Sequence, residues 1–340
     1  MLNRRQTLKV ALATLAGGMA ASGLPAQVAS LKDRLTGDVS PAHDPCMIRD
    51  KAGLFHVFTT SHMGGDNKGL IHWRTSTDML DWRFNGAVMA AFPDWVMTAI
   101  PETRGAWAPD IAFFNNRYYL YYSASTFGKN RSLIGLLSTP TLDRASPDFA
   151  WRDEGLVVES TTRNTYNAID PNHVIDADGR HWLSFGSFWS GLKLIELDPM
   201  TGKPKAGAKV KGIAGRDPPG AIEAPFIFRR GDYYYLIAAY DFCCRGVDSS
   251  YYTVVGRSKT IEGPYLDDTG KKLSKGGGRV LLKAGMDTSG RFKGPGGASV
   301  VDLGDSYVIV YHAYDAYRGG VPTLRIQALE WSDDGWPVAV

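Results

Sequence analysis

An all-β fold, specifically a five-bladed β-propeller, is what the sequence predicts, and three observations predict it. A unit made of a strand, a glycine-type turn and an aromatic-rich second strand recurs five times along 340 residues. Helical periodicity is nearly absent, which argues against a βα barrel. Tyrosine (16), phenylalanine (14), tryptophan (9) and glycine (38) are abundant, the mixture that short strands and tight turns use.

The units begin at Asp44, Trp107, Asp170, Glu223 and Gly296. Four residues on stand Ile48, Ile111, Val174, Ile227 and Val300, followed by the turn residues Gly53, Asn116, Gly179, Gly231 and Gly304. Eleven residues from each head come Phe55, Tyr118, His181, Tyr234 and Tyr307, and two further on Val57, Leu120, Leu183, Leu236 and Ile309. This register predicts five equivalent hairpins with no gap inside the unit. A hairpin alone cannot bury both faces, so units repeated at this interval must pack on one another. The interval leaves space for a second hairpin per unit, as in GLIHWRTSTDMLDW, SLIGLLSTPTLDRASPDFAW and YYTVVGRSKTIEGPY. Four strands per unit and five units around an axis make the propeller.

The first 30 residues stand apart. MLNRRQTLK precedes the uncharged run VALATLAGGMAASGL, and Arg4-Arg5 with Gln6, Thr7 and Leu8 favours a twin-arginine export signal over an ordinary secretory one. Cleavage is expected between Ala26 and Ser30, leaving residues 31–340 as a single propeller domain, exported to the periplasm or secreted. No later segment has the length and apolarity of a membrane span, so no membrane partner is expected. The formal charge of +3 and the lack of a basic cluster interleaved with aromatics argue against nucleic acid. KKLSKGGGR at 271–279 lacks the strand-to-helix setting of a phosphate loop and reads as a solvated loop. Cys46, Cys243 and Cys244 are the only cysteines. They have no metal-ligand spacing, and a bridge between adjacent residues would be strained, so buried free thiols are expected.

In a propeller the innermost strand of each blade lines the central channel, so the five heads meet at one mouth. Three heads are carboxylates, Asp44, Asp170 and Glu223; the others are Trp107 and Gly296. Hairpin geometry returns His312 to the same level beside Gly296, where no side chain projects. Any one acid before a strand is as well explained by a turn hydrogen bond. Three facing one channel are different, because crowded like charges push ionisation constants apart. Glycosidic bond hydrolysis needs two acids so separated, one protonated for the leaving group and one ionised to activate water. A third carboxylate would raise the acid's pKa, and aromatic rings would stack on sugar faces.

HDP at 43–45, WAPD at 107–110, NAIDP at 167–171, IEAPF at 222–226 and YHAYD at 311–315 resemble the signature segments of family 43 glycoside hydrolases. Within that family the likeness is closest to endo-1,5-α-L-arabinanases. It runs through SASTFGKNRSLIGL, GSFWSGLKLIELDP and DFCCRGVDSSYYTVVGRS, from about Pro41 to Val340. The resemblance implies an inverting hydrolase of arabinan, with Asp44 as general base and Glu223 as general acid; a monomer is expected. Asp170 would orient Glu223 and adjust its pKa. Trp107, Gly128, Asn167, Ala168, Ile169, Ser187, Phe188, Trp189 and Arg325 match segments that contact the sugar, as do Asp44 and Asp170 themselves. It also implies one calcium ion in the channel with His312 as its only protein ligand, although a lone histidine is by itself more often a hydrogen-bonded core residue. Cys46 replaces a more usual serine, and RSLIGLLS replaces a smaller-residue version; neither touches the acids. An exo-acting arabinofuranosidase or β-xylosidase would carry the same acids, whereas a non-catalytic sugar-binding propeller would not need the full set.

Overall fold

The computed structural model describes residues 31–61 and 68–340; the export signal expected at 1–30 lies outside the described residues. Five antiparallel sheets follow one another along the chain. Blade I comprises Cys46–Arg49, Phe55–Thr59, Leu70–Ser76 and Asp81–Met89, with Thr36–Gly37 added in parallel at its outer edge. Blade II comprises Ala106–Phe114, Arg117–Ala124, Ser132–Thr139 and Arg152–Ser160. In blade III, Asn172–Ile175, His181–Phe185 and Leu192–Asp198 are completed by two short strands, Lys203–Pro204 and Lys211–Ala214, that both pair with the third. Blade IV holds Ile222–Arg230, Tyr233–Tyr240, Tyr252–Ser258 and Arg279–Leu282, and blade V holds Phe292–Asp302, Tyr307–Asp315, Val321–Trp331 and Pro337–Ala339. One short helix, α1 (Asp94–Ala99), links blades I and II and packs Val96 and Ile100 against Ala124 and Leu133.

Among the described residues the hydrophobic core is not one mass: five clusters lie between neighbouring blades, and a small sixth lies under α1. Trp73 and Leu120 belong to the cluster between blades I and II, and Tyr121 and Phe185 to that between II and III. Leu194 and Leu236 join III to IV, and Ile237 and Ile309 join IV to V. The ring closes where Val57 of blade I meets Val308, Val310, Leu324 and Ile326 of blade V. The segment before blade I seals that seam: Leu31 and Ala42 are fully buried in it, Ala42 N–H donates to Pro322, and Leu324 N–H donates to Val39. Sheet faces that would otherwise be wet are covered on both sides, as the repeat required.

The gap-free register needs one correction at the channel. Each blade carries a left-handed residue at the head of its innermost strand: Asp44 (φ 48°), Ala108 (40°), Asp170 (59°), Ala224 (51°) and Gly297 (56°). Four of the five precede a proline, Pro45, Pro109, Pro171 and Pro225. Left-handed backbone is uncommon outside glycine, so its recurrence once per blade marks the true equivalent position. Asp44 and Asp170 occupy it. Trp107, Glu223 and Gly296 stand one residue before it, where the pairing shifts register through a β-bulge in blades II, IV and V.

Candidate active site

The blade mouths surround a cavity of about 810 Å³ whose walls include Asp44, Trp107, Asp170, Glu223 and Tyr251. The three expected acids therefore meet in one space. They do not meet as equals.

Asp44 is heavily supported. His43 Nδ1 lies 2.7 Å from its Oδ2, and the Thr60 hydroxyl donates to the same oxygen at 2.8 Å. Thr60 in turn accepts from Ala108 N–H at 2.9 Å, tying blades I and II together at the mouth. Burial pushes the Asp44 carboxyl up, but the neighbouring His43 and His312 rings, the His43 hydrogen bond and the Thr60 hydroxyl together hold it well below the usual carboxylate range. Asp44 is an ionised group with one oxygen, Oδ1, left for a ligand.

Glu223 and Asp170 are tuned the other way. Burial pushes Glu223 up; hydrogen bonds from Ser187 (2.7 Å) and Tyr251 (2.8 Å) work against this, and the Asp44 charge adds to it. Asp170 stands well above the usual range because it is buried and faces the charges of Glu223 and Asp44. Its Oδ2 accepts Ala224 N–H at 3.0 Å, so Asp170 holds the backbone next to Glu223. The pair retains a proton that Asp44 has lost.

Gly296 leaves no gap. Its missing side chain makes room for Tyr251, whose ring a Cβ at Gly296 would overlap. Gly297 gives close passage to Asp44, since a Cβ there would sit 2.5 Å from Oδ1 and 3.0 Å from His312 Nδ1. His312 is completely buried beneath, stacked on His43 with ring centroids 3.6 Å apart. Burial first, and the neighbouring His43, hold its imidazole well below the usual range, so it is neutral. Its Nδ1 lies 3.1 Å from Asp44 N and 3.6 Å from Asp44 Oδ1, while Nε2 has no protein partner. The Asp44 N–H donates to Nδ1, so the neutral ring carries its proton on Nε2, which is buried without a partner. A cation at Nε2 requires the other tautomer, with the proton on Nδ1; ligand atoms of His43, Asp44 and His312 lie within 4.8 Å of one another.

Trp107, Gly128, Asn167, Ile169, Ser187, Phe188 and Trp189 all line the cavity. Asn167 Oδ1 is fixed by the Ser132 hydroxyl at 2.6 Å, and Trp189 is 41% exposed at the rim. Two expected contacts lie elsewhere. Ala168 is fully buried between blades II and III. Arg325 is outside the cavity walls, its guanidinium 3.8 Å from the centre of the Phe292 ring and 3.5 Å from Asp33. The cysteines also depart from expectation. Cys243 and Cys244 are bonded to each other in the cavity wall, at a turn where Cys244 is left-handed (φ 66°); Cys46 alone is a buried free thiol. Sequence reasoning passed over His43, Thr60, Tyr251 and Phe127. His43 and Tyr251 lie inside the quoted motifs, but nothing local in the sequence shows that they touch the acids.

Groups so placed can cleave an acetal, one carboxyl giving a proton to the departing oxygen while the other draws one from water. The protein is a glycoside hydrolase. Residues 40–337 match the model of glycosyl hydrolases family 43, and the chain belongs to that family. It is 42% identical over 296 residues to an extracellular endo-α-(1→5)-L-arabinanase of Bacillus subtilis, covering 87% of this chain and 86% of that protein. It is 40% identical over 307 residues to an extracellular exo-α-(1→5)-L-arabinofuranosidase of Cellvibrio japonicus, covering 87% and 85%. Among solved structures, the Cellvibrio cellulosa α-L-arabinanase complexed with arabinohexaose superposes with a TM-score of 0.83 at 39% identity, over 89% of this chain and 96% of that one.

The Gly296–Tyr251 contact generates a prediction. Gly296→Ala displaces the Tyr251 ring from Glu223, so kcat falls about 10- to 100-fold while circular dichroism still shows a folded β protein. Unchanged kcat in a folded variant would show that Tyr251 does not need that space.

Proposed function

We propose that the protein is an inverting, endo-acting hydrolase of α-1,5-linked L-arabinan. The observation that carries this reading is the opposite ionisation of Asp44 and Glu223 across one cavity. Asp44, with Oδ2 engaged by His43 and Thr60, takes a proton from water at Oδ1. Glu223, its carboxyl plane set by Ser187 and Tyr251, gives its proton to the leaving oxygen. Asp170 keeps that proton on Glu223 until it is needed, by its proximity and by its hold on Ala224. Trp107, Phe188 and Trp189 offer ring faces to furanose units. At about 810 Å³ the cavity is at the upper end of the range for drug-sized ligands, which suits several pentose rings better than one. A polysaccharide substrate also fits an exported enzyme, and both curated relatives are named extracellular. Among the described residues no helix is long and apolar enough to cross a membrane. An exo mode is the second reading, favoured by the Cellvibrio japonicus relative.

Product analysis tests the reading. On linear arabinan, mixed oligosaccharides are expected before arabinose accumulates, xylan is expected to be a poor substrate, and Asp44→Ala and Glu223→Ala each lose about 10²–10⁴-fold in rate. Arabinose alone from the first minutes would select the exo mode. Near wild-type rates in either variant would end the assignment of base and acid.

His312 would hold a calcium ion through Nε2, which has no protein partner, once its proton passes to Nδ1 beside Asp44 Oδ1 at 3.6 Å, with water completing a shell that calcium prefers to build from oxygen. When bound, the ion would supply positive field beside Asp44 and strengthen its ionised form. His312→Ala is therefore expected to lose a stoichiometric ion by elemental analysis and to lose turnover, with substrate affinity by calorimetry retained. Wild-type protein without a stoichiometric ion would return His312 to a core residue.

A further inference from the structure

A chain of hydrogen bonds runs from the cavity wall to Asp44, its two ends fixed by a backbone N–H that can only donate and a carboxylate that can only accept. It starts in the connection between the second and third strands of blade IV, where Cys243 and Cys244 form their bridge. The Cys244 N–H, which can only donate, lies 2.8 Å from the hydroxyl of Tyr314 on the second strand of blade V. That oxygen accepts, so the hydroxyl hydrogen is free for His43 Nε2, 2.8 Å away. A neutral imidazole accepting at Nε2 carries its proton on Nδ1. Nδ1 then donates to Asp44 Oδ2 at 2.7 Å. Tyr314 is 2% exposed and His43 is 4% exposed, so water does not compete for these bonds. The Cys244 sulfur lies 3.9 Å from His43 Nε2 and closes the relay from the cavity side.

We propose that the Cys243–Cys244 bridge, Tyr314 and His43 are positioning residues for Asp44. The bridge keeps Cys244 left-handed, so its N–H stays on Tyr314; the relay then sets the His43 tautomer and engages Oδ2, leaving Oδ1 for water. A bridge between neighbouring residues closes almost no loop, so it adds little by constraining the unfolded chain. Its effect is local, in the direction of one amide. An exported protein meets the oxidising conditions that keep such a bridge closed. The proposal rests on the reading of Asp44 as the base.

The test compares wild type, Cys243→Ser/Cys244→Ser, Tyr314→Phe and the triple variant on linear arabinan, with kcat, KM and melting temperature measured for each. Wild type is also reduced with a dithiol, which closes to its own cyclic disulfide and leaves two thiols in place of the bridge; thiol titration counts them. Opening the bridge by either route is expected to lower kcat about tenfold or more with KM within about twofold. Tyr314→Phe is expected to do the same. With Tyr314→Phe already present, opening the bridge costs nothing further, because both changes cut one relay. Additive losses, a raised KM with kcat intact, or no loss at all would overturn the proposal, the second identifying the bridge as a sugar-contacting wall only. Asp44→Ala run in parallel separates the two claims: if it is inactive while the relay variants are not impaired, the base assignment stands and the relay falls.

Discussion

Three carboxyl groups share one buried channel mouth, and they cannot all be ionised there. Transferring a charge from water into such a site is costly unless it is paired and hydrogen-bonded. Support is given to one acid only: Asp44 has His43, Thr60 and His312 around it, whereas Asp170 has a backbone amide and Glu223 two neutral hydroxyls. The cations on the wall are occupied elsewhere, Lys129 by Glu102 at 2.7 Å and Arg245 over the Phe242 ring at 4.6 Å. A proton therefore stays on the Glu223–Asp170 pair while Asp44 is bare. Acid and base are distinguished by their surroundings, with the same functional group in both roles.

The ring makes this crowding permanent. Five interblade clusters close a circle, so no blade head can retreat without opening a core. The one-residue offset adds a refinement. Asp44 and Asp170 project from the left-handed residue itself, and Glu223, longer by one methylene, projects from the residue before it in a bulged strand. The acid and base thus leave the ring from different frames. Bulges are a known means of re-aiming a side chain beside an active site.

The blades were legible because a period-two apolar pattern and a glycine-type turn survive in every unit, whatever the loops between them. The three acids were legible because the repeat aligned them. What escaped has two physical causes. Counting back from the turn does not reveal a bulge, so Trp107, Glu223 and Gly296 looked equivalent to Asp44 and Asp170. Contacts between blades are invisible to local patterning, so Tyr251 filling the space beside Gly296, and Tyr314 bonding the Cys244 amide, emerge only when blades IV and V are brought together. Arg325 shows the converse limit: its motif sits in blade V, but Phe292 and Asp33 claim its guanidinium outside the cavity. The vicinal bridge was set aside as strained, yet the left-handed turn at Cys244 accommodates it.

The pH–rate profile of wild type against Asp170→Asn tests most directly whether shared protonation sets the roles. Glu223 must be protonated to act, so activity is lost as pH rises through its raised pKa, and that loss is the alkaline limb. Removing the Asp170 charge makes ionisation of Glu223 easier and lowers that pKa. The account predicts an alkaline limb displaced to lower pH in Asp170→Asn, with the protein still folded. An alkaline limb at the wild-type position, or one moved to higher pH, would contradict it.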